Sequence, residues 1–136
     1  MARIDPTAFT VVSGGQTGVD RAALDAALSL SLNHSGWCPR GRRSEDGEIP
    51  PRYQLTETES ADYRERTRRN VEDSDATLIF NKGVLEGGTL LTRQYADAAG
   101  RPRKVVDPDD EDTLDEVLQW INYNLIMILN VAGPRA

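Results

Sequence analysis

The stretch "VVSGGQTGVDRAALDAA", Val11 to Ala27, decides how the chain is read. An apolar run, Phe9 to Val12, stops at Ser13-Gly14-Gly15, and after Gln16-Thr17-Gly18 the spacing becomes helical. Ala23, Ala26, Ala27 and Leu30 fall at i, i+3, i+4 and i+7, a stripe of small residues that lets a helix lie close to a sheet. A short buried strand followed by glycines, hydroxyls and a helix is the layout of a loop whose backbone is closely approached. Gly14 and Gly15 can take positive φ, and Thr17 and Asp20 stand where the first helical turn leaves amides unpaired. An anion there would gain those donors and the helix dipole, worth about 0.3–1 kcal/mol per exposed charge. The bland alternative is a tight turn with Thr17 or Asp20 capping the helix. The loop is neither a Walker loop, since no Lys-Ser/Thr follows Gly18, nor a G-x-G-x-x-G turn.

The same alternation continues along the chain. Ala76 to Asn81 reads as a strand, followed by "KGVLEGGT" and a helix through "LLTRQYADAAG" that Gly100 and Pro102 stop. Lys104 to Asp107 gives another short strand. Leu114, Val117, Leu118 and Ile121 form a helical face behind a cap at Asp112 or Thr113. Leu125 to Gly133 reads as a fully buried strand. Between Asn33 and Ser60 there is little periodicity, and a structureless loop of that length is usually functional when ordered. Thr56 to Glu59 has capping-box spacing, so a helix is expected from about Ser60 to Asp73. His34 reads as a helix C-terminal residue, and Cys38, beside Trp37, as packed rather than nucleophilic. Apolar strands alternating with helices imply an α/β fold, a mainly parallel sheet of about five strands covered on both faces.

Composition narrows the function. The 136 residues fit one domain, with 38% hydrophobic residues, which is globular. Sixteen Lys and Arg against 22 Asp and Glu leave a net charge of −6, which argues against nucleic acid as a partner. One cysteine and one histidine leave no internal disulfide and no thiolate or histidine cluster for a metal, so no metal site is expected. No apolar run approaches the ~20 residues of a membrane helix and no signal peptide is recognisable, so a cytoplasmic location is expected. The small core and apolar last strand point to self-association, with a homodimer or higher homo-oligomer expected.

In a parallel sheet, ligands sit outside the carboxyl ends of the strands. Three strands here end in related loops, "SGGQTG", "KGVLEGGT" and "AGPR", so Gly14–Thr17, Gly87–Thr89 and Gly133–Arg135 are expected to line one cleft. Thr92 lies about one turn beyond Gly88-Thr89. The segment "PRGRRSEDGE" adds Arg40, Arg42 and Arg43 beside Glu45, Asp46 and Glu48. It reads either as a solvated, self-neutralising loop or as a source of guanidinium groups for a phosphate. Arg66 and Asn70, four apart, share a helix face and read equally as a surface pair. The negative net charge means that attraction of an anion must come from local donors, among them Arg21 and Arg135.

The motifs "SGGQTGVDRAALDAA", "GWCPRGRRSEDGEIP", "DSDATLIF", "GGTLLT" and "LNVAGPR" resemble those of the circularly permuted YpsA type, a family provisionally named molybdenum carriers. It stands within the Rossmann-like superfamily that includes the LOG phosphoribohydrolases. The resemblance runs from Val11 to Arg135 and implies a three-layer Rossmann-like fold that binds a nucleotide-related or pterin-phosphate ligand. It also implies molybdenum cofactor or molybdate as cargo. LOG enzymes carry P-G-G-x-G-T-x-x-E, whose glutamate serves N-glycosidic hydrolysis. Here Thr92 stands at that position, and a hydroxyl does not replace a carboxylate as general acid or base near neutral pH. A binding or carrier role is therefore expected ahead of hydrolysis, unless Glu45, Asp46 or Asp20 supplies the carboxyl. The ligand contacts expected on these grounds are Ser13, Gly14, Gly15, Gln16, Thr17, Asp20, Arg21, Arg40, Arg42, Arg43, Glu45, Asp46, Gly87, Gly88, Thr89, Thr92, Gly133 and Arg135.

Overall fold

The computed structural model describes residue 5 and residues 7–136. In chain order the elements are β1 (Thr10–Val12), α1 (Val19–Ser29), β2 (Asn33–Ser35), β3 (Trp37–Cys38), β4 (Arg43–Ser44), β5 (Gly47–Glu48) and β6 (Thr56–Glu57). They continue with α2 (Tyr63–Glu72), β7 (Ala76–Phe80), α3 (Gly87–Ala99), β8 (Arg103–Val106), α4 (Thr113–Tyr123) and β9 (Ile128–Ala132). Five strands form one sheet in the order β2-β1-β9-β7-β8, and every pairing in it is parallel. The expected α/β architecture is present.

The last strand sits in the middle. β9 pairs with β1 through Thr10–Ile128 to Val12–Asn130, and with β7 through Ala76–Leu129 to Ile79–Ala132. One sheet face carries Val11, Leu129, Val131, Ala76, Leu78 and Val106, on which Ala27 of α1 and Val117 and Ile121 of α4 pack. α3 packs across β7 and β8, with α2 against it. The strands are less uniformly apolar than their sequence suggests. Thr77 and Asn130 are buried, and Asn130 Nδ2 donates to Thr77 Oγ1 at 3.3 Å, which satisfies both groups inside the sheet.

The segment from Asn33 to Ser60 is ordered, not structureless. β2 extends the main sheet, β3 pairs with β6, and β4 and β5 form an antiparallel hairpin. His34 lies in β2, not at a helix end: α1 stops at Ser29, and Ser31 turns the chain with φ 56°. Its Nε2 accepts the Gln54 amide at 3.1 Å. Thr56–Glu57 is a strand, and α2 begins later, capped by Asp62, whose side chain accepts the Arg64 amide. The final strand starts at Ile128 because Leu125 takes φ 53° and is exposed.

Cys38 is fully buried with Leu24, Ile49 and Tyr53 in a second apolar cluster, and burial pushes its thiol pKa up, in keeping with a packing role. Asn70 joins α2 to β3 by accepting the Trp37 amide at 2.7 Å and donating to its carbonyl at 3.0 Å. β9 is enclosed by β1 and β7, so Ile128–Ala132 packs within the chain, while Leu125 and Met127 just before it are exposed.

Leu129, on the central strand, tests this arrangement. Leu129→Ala should cost about 2–5 kcal/mol in urea unfolding, as for other buried leucines. Leu114→Ala, at an exposed position, should stay within about 0.5 kcal/mol. Equal losses at the two sites would contradict the placement of β9.

Candidate functional site

Parallel pairing brings the carboxyl ends of β1, β7 and β9 to one edge, and a cleft of about 690 Å³ opens there. Gln16 and Asp20 reach it from the loop after β1 and the start of α1. Asn81, Lys82, Val84 and Glu86 reach it from the loop after β7, Gly87, Gly88, Thr89 and Thr92 from α3, and Ala132 to Arg135 from the end of β9. α2 completes the wall with Tyr63, Arg66 and Thr67. Volumes of this order suit a small organic ligand.

The glycines after β1 make close contacts within the chain. A Cβ on Gly14 would lie 2.1 Å from Arg66 Nη1, so Gly14 is small because the Arg66 guanidinium lies across it. Gly15 has φ 75°, and a Cβ there would meet Leu55 Cδ1 at 2.6 Å. What approaches this backbone is the protein's own side chains. Three amides of this turn are likewise engaged within the chain. The Gly15 amide donates to Ser13 Oγ, the Gln16 amide to Asp20 Oδ2, and the Val19 amide to the Pro134 carbonyl. The Thr17 hydroxyl bonds Glu45 and accepts from the Ala136 amide at 3.3 Å.

Asp20 is the centre of this arrangement. Its side chain is 7% exposed, and Oδ2 accepts the Gln16 amide at 3.2 Å and faces Arg66 Nη1 at 3.5 Å. Burial pushes the Asp20 carboxyl up, opposed first by Arg66 and then by the Gln16 amide, and burial pulls the Arg66 guanidinium down, opposed by Asp20. Arginine does not give up its proton in proteins, and an uncompensated buried cation is costly, so Asp20 stays ionised as its partner. Gln16 is 1% exposed; its Nε2 donates to the Arg43 carbonyl at 2.9 Å. Among the described residues its Oε1 and Arg66 Nε find no hydrogen-bond partner.

The arginines divide into two groups. Arg43, Arg66 and Arg135 gather round the Tyr63 ring at 4.9, 5.9 and 4.6 Å from its centroid, and Arg135 lies 3.7 Å from Glu45. Arg21 is turned to the β4–β5 hairpin, with 2.6 and 2.7 Å bonds to Asp46, and also reaches Ser44 and the Gly15 carbonyl. Arg42 donates to the carbonyls of Ile49, Pro50 and Tyr53, and Arg40 is exposed. Of the residues expected from sequence, the cleft therefore brings together Gln16, Asp20, Gly87, Gly88, Thr89, Thr92, Gly133 and Arg135. Ser13, Gly14, Gly15, Thr17, Arg21, Arg40, Arg42, Arg43, Glu45 and Asp46 stand behind or beside it. Arg66, Tyr63, Thr67 and Asn81 were not read as site residues. The stripe Tyr63, Thr67, Asn70, Ser74, polar groups at helical spacing, was the available signal of a buried polar face.

The start of α3 differs from that of α1. Gly87 and Gly88 are exposed, and a Cβ on Gly88 would meet nothing within 4 Å. Thr92 Oγ1 donates back to the Gly88 carbonyl at 2.9 Å, so its hydroxyl supports the helix. No three His, Cys, Asp or Glu side chains cluster as metal ligands among the described residues.

With this geometry in place, comparison identifies the class. Residues 11–136 match the circularly permutated YpsA SLOG family, and the chain belongs to that family. The chain is similar to a protein from Syntrophus aciditrophicus SB, provisionally named a molybdenum carrier protein, whose crystal structure extends to 1.45 Å resolution. The two are 43% identical, the match covers 96% of this chain and 85% of the other, and the TM-score is 0.93. (E)-4-hydroxy-3-methyl-but-2-enyl diphosphate reductase aligns at 7% identity over 93% of this chain and 53% of its own, with a TM-score of 0.37, too low to inform function. Among curated proteins none is a significant match.

Two outcomes follow from the loop chemistry. Gly15→Ala should destabilise the protein by about 1–3 kcal/mol, because alanine is strained at that φ and its Cβ meets Leu55; denaturant unfolding unchanged from wild type would refute this. The Arg21 and Ser44 contacts hold the Asp46 carboxyl well below its ordinary range. Its contribution is thus complete above the unfolded value near pH 3.9 and is lost as pH falls toward the lower folded value. Asp46→Asn should flatten the melting temperature between about pH 4 and pH 2, where wild type falls.

Proposed function

We propose that the cleft binds a small phosphate-bearing organic ligand, nucleotide-related or a pterin phosphate, and that the protein acts as a binding or carrier module. The observation that carries this reading is Gly88. Its φ is not in the left-handed region and no neighbour lies within 4 Å of a Cβ placed there, so the backbone in the first turn of α3 stands open. Its smallness serves something outside the chain. The α3 terminus offers amides and the positive end of a 13-residue helix to an anion, with Arg135 also lining the cleft.

Molybdenum, which the relative's name mentions, would travel here as part of a larger anion, because the donor set suits oxygen-rich anions and contains no thiolate or imidazole cluster. The second reading is N-glycosidic hydrolysis of a nucleotide. It is favoured only by Asp20, the one carboxyl among Glu45, Asp46 and Asp20 that reaches the cleft, since Thr92 supplies no acid. A homodimer remains part of the proposal.

Calorimetry with a panel of 5′-mononucleotides tests the reading, with chromatography of the same mixtures for released base. Gly88→Ala should keep or slightly raise the melting temperature while weakening the tightest nucleotide at least about tenfold. Undiminished binding by that variant would remove the α3 terminus from the site. Released base would favour hydrolysis.

A further inference from the structure

Resting on the reading of this cleft as an anion site, we propose that Asp20 is its specificity-determining residue. It restricts the ligand to anions that also carry a hydroxyl or amine hydrogen, and it turns away bare oxyanions such as molybdate and sulfate.

The argument is one of partners. Oδ2 of Asp20 is occupied by the Gln16 amide and faces Arg66, whereas among the described residues nothing donates to Oδ1. Asp20 nonetheless lines the cleft, so Oδ1 is the oxygen turned toward it. Oδ1 is thus the part of this carboxylate left open, and a ligand hydrogen placed there makes a charge-assisted hydrogen bond, one of the stronger kind. A tetrahedral dianion has no hydrogen to offer and brings its own charge against the carboxylate. Arg66 does not compensate, because its charge is already matched by Asp20 at 3.5 Å. Gln16 sharpens the requirement. Its Nε2 is held by the Arg43 carbonyl, which leaves Oε1 a buried acceptor with no donor among the described residues. The Asp20 carboxylate offers an acceptor to the cleft, and the α3 terminus offers donors. A ligand that fits both ends has an anionic group and a hydrogen-bearing group on one small frame, as a sugar phosphate does and a simple oxyanion does not.

The test compares affinities of the full chain for 5′-mononucleotides, molybdate and sulfate, on wild type and Asp20→Asn, each checked for fold by circular dichroism. Wild type should bind at least one nucleotide ten times or more tighter than molybdate or sulfate. Asp20→Asn removes the charge and releases Arg66, so molybdate affinity should rise about tenfold while the nucleotide weakens, a reversal that loss of a purely structural contact would not produce. Wild-type binding of molybdate or sulfate as tight as that of any nucleotide overturns the proposal, whether or not the variant folds. Nucleotide binding with the same preference in a folded Asp20→Asn overturns the role of Asp20 alone. Binding of neither class by wild type overturns the anion site itself and this inference with it.

Discussion

The buried ion pair between Asp20 and Arg66 is the contact on which the cleft depends. It ties the first turn of α1 to the middle of α2 across a glycine that leaves room for it. A pair so enclosed is seldom a source of net stability, because desolvating both ions offsets most of their attraction. Its value is geometric. One carboxylate oxygen orients a backbone amide and a guanidinium together, so the loop after β1, the helix beside it and the wall opposite keep a fixed relation. The Arg21–Asp46 bond does the same for the neighbouring hairpin, holding it against the outer side of the loop. The two devices explain why a glycine-rich turn can be rigid.

A second constraint is the direction of the strands. Because β1, β9 and β7 run in parallel, their carboxyl ends share an edge, and loops far apart in sequence become neighbours. The strand nearest the carboxyl terminus is the one that joins the halves of the sheet. Its neighbour on one side is the earliest strand, which leads outward to β2, and on the other β7, which leads outward to β8. The cleft stands where these two progressions diverge.

The architecture was legible in the runs at Phe9–Val12, Ala76–Asn81 and Leu125–Gly133, because strands buried on both faces keep few polar residues. The strands between Asn33 and Glu57 were not. Each is two or three residues long, and "NHS" or "RS" carries no apolar pattern to distinguish it from a turn. Convergence of the three loops followed from topology once the strands were known. The role of Arg66 did not, because "YRERTRRNVE" reads as a charged surface helix until α3 is packed beside it. Sequence spacing could show that Gly14 was small, but only the third dimension shows that a guanidinium rests on it. Arg21 of α1 and Arg42, just before β4, have the chemistry of an anion site, and within the chain they bind Asp46, Ser44 and backbone carbonyls.

The central position of β9 also bears on how the molecule comes into being. Thr10 pairs with Ile128, so the two parts of the sheet have no common edge until residue 128 and its neighbours have left the ribosome. Before then β1 and β7 each present an unpaired flank, the kind of surface on which nascent chains associate wrongly. Such distant pairing carries a large loop-closure entropy and slows the search for the native state. Closure of this sheet thus waits on a pairing between strands far apart in sequence, and the cleft at its edge comes into existence at the same moment as the fold.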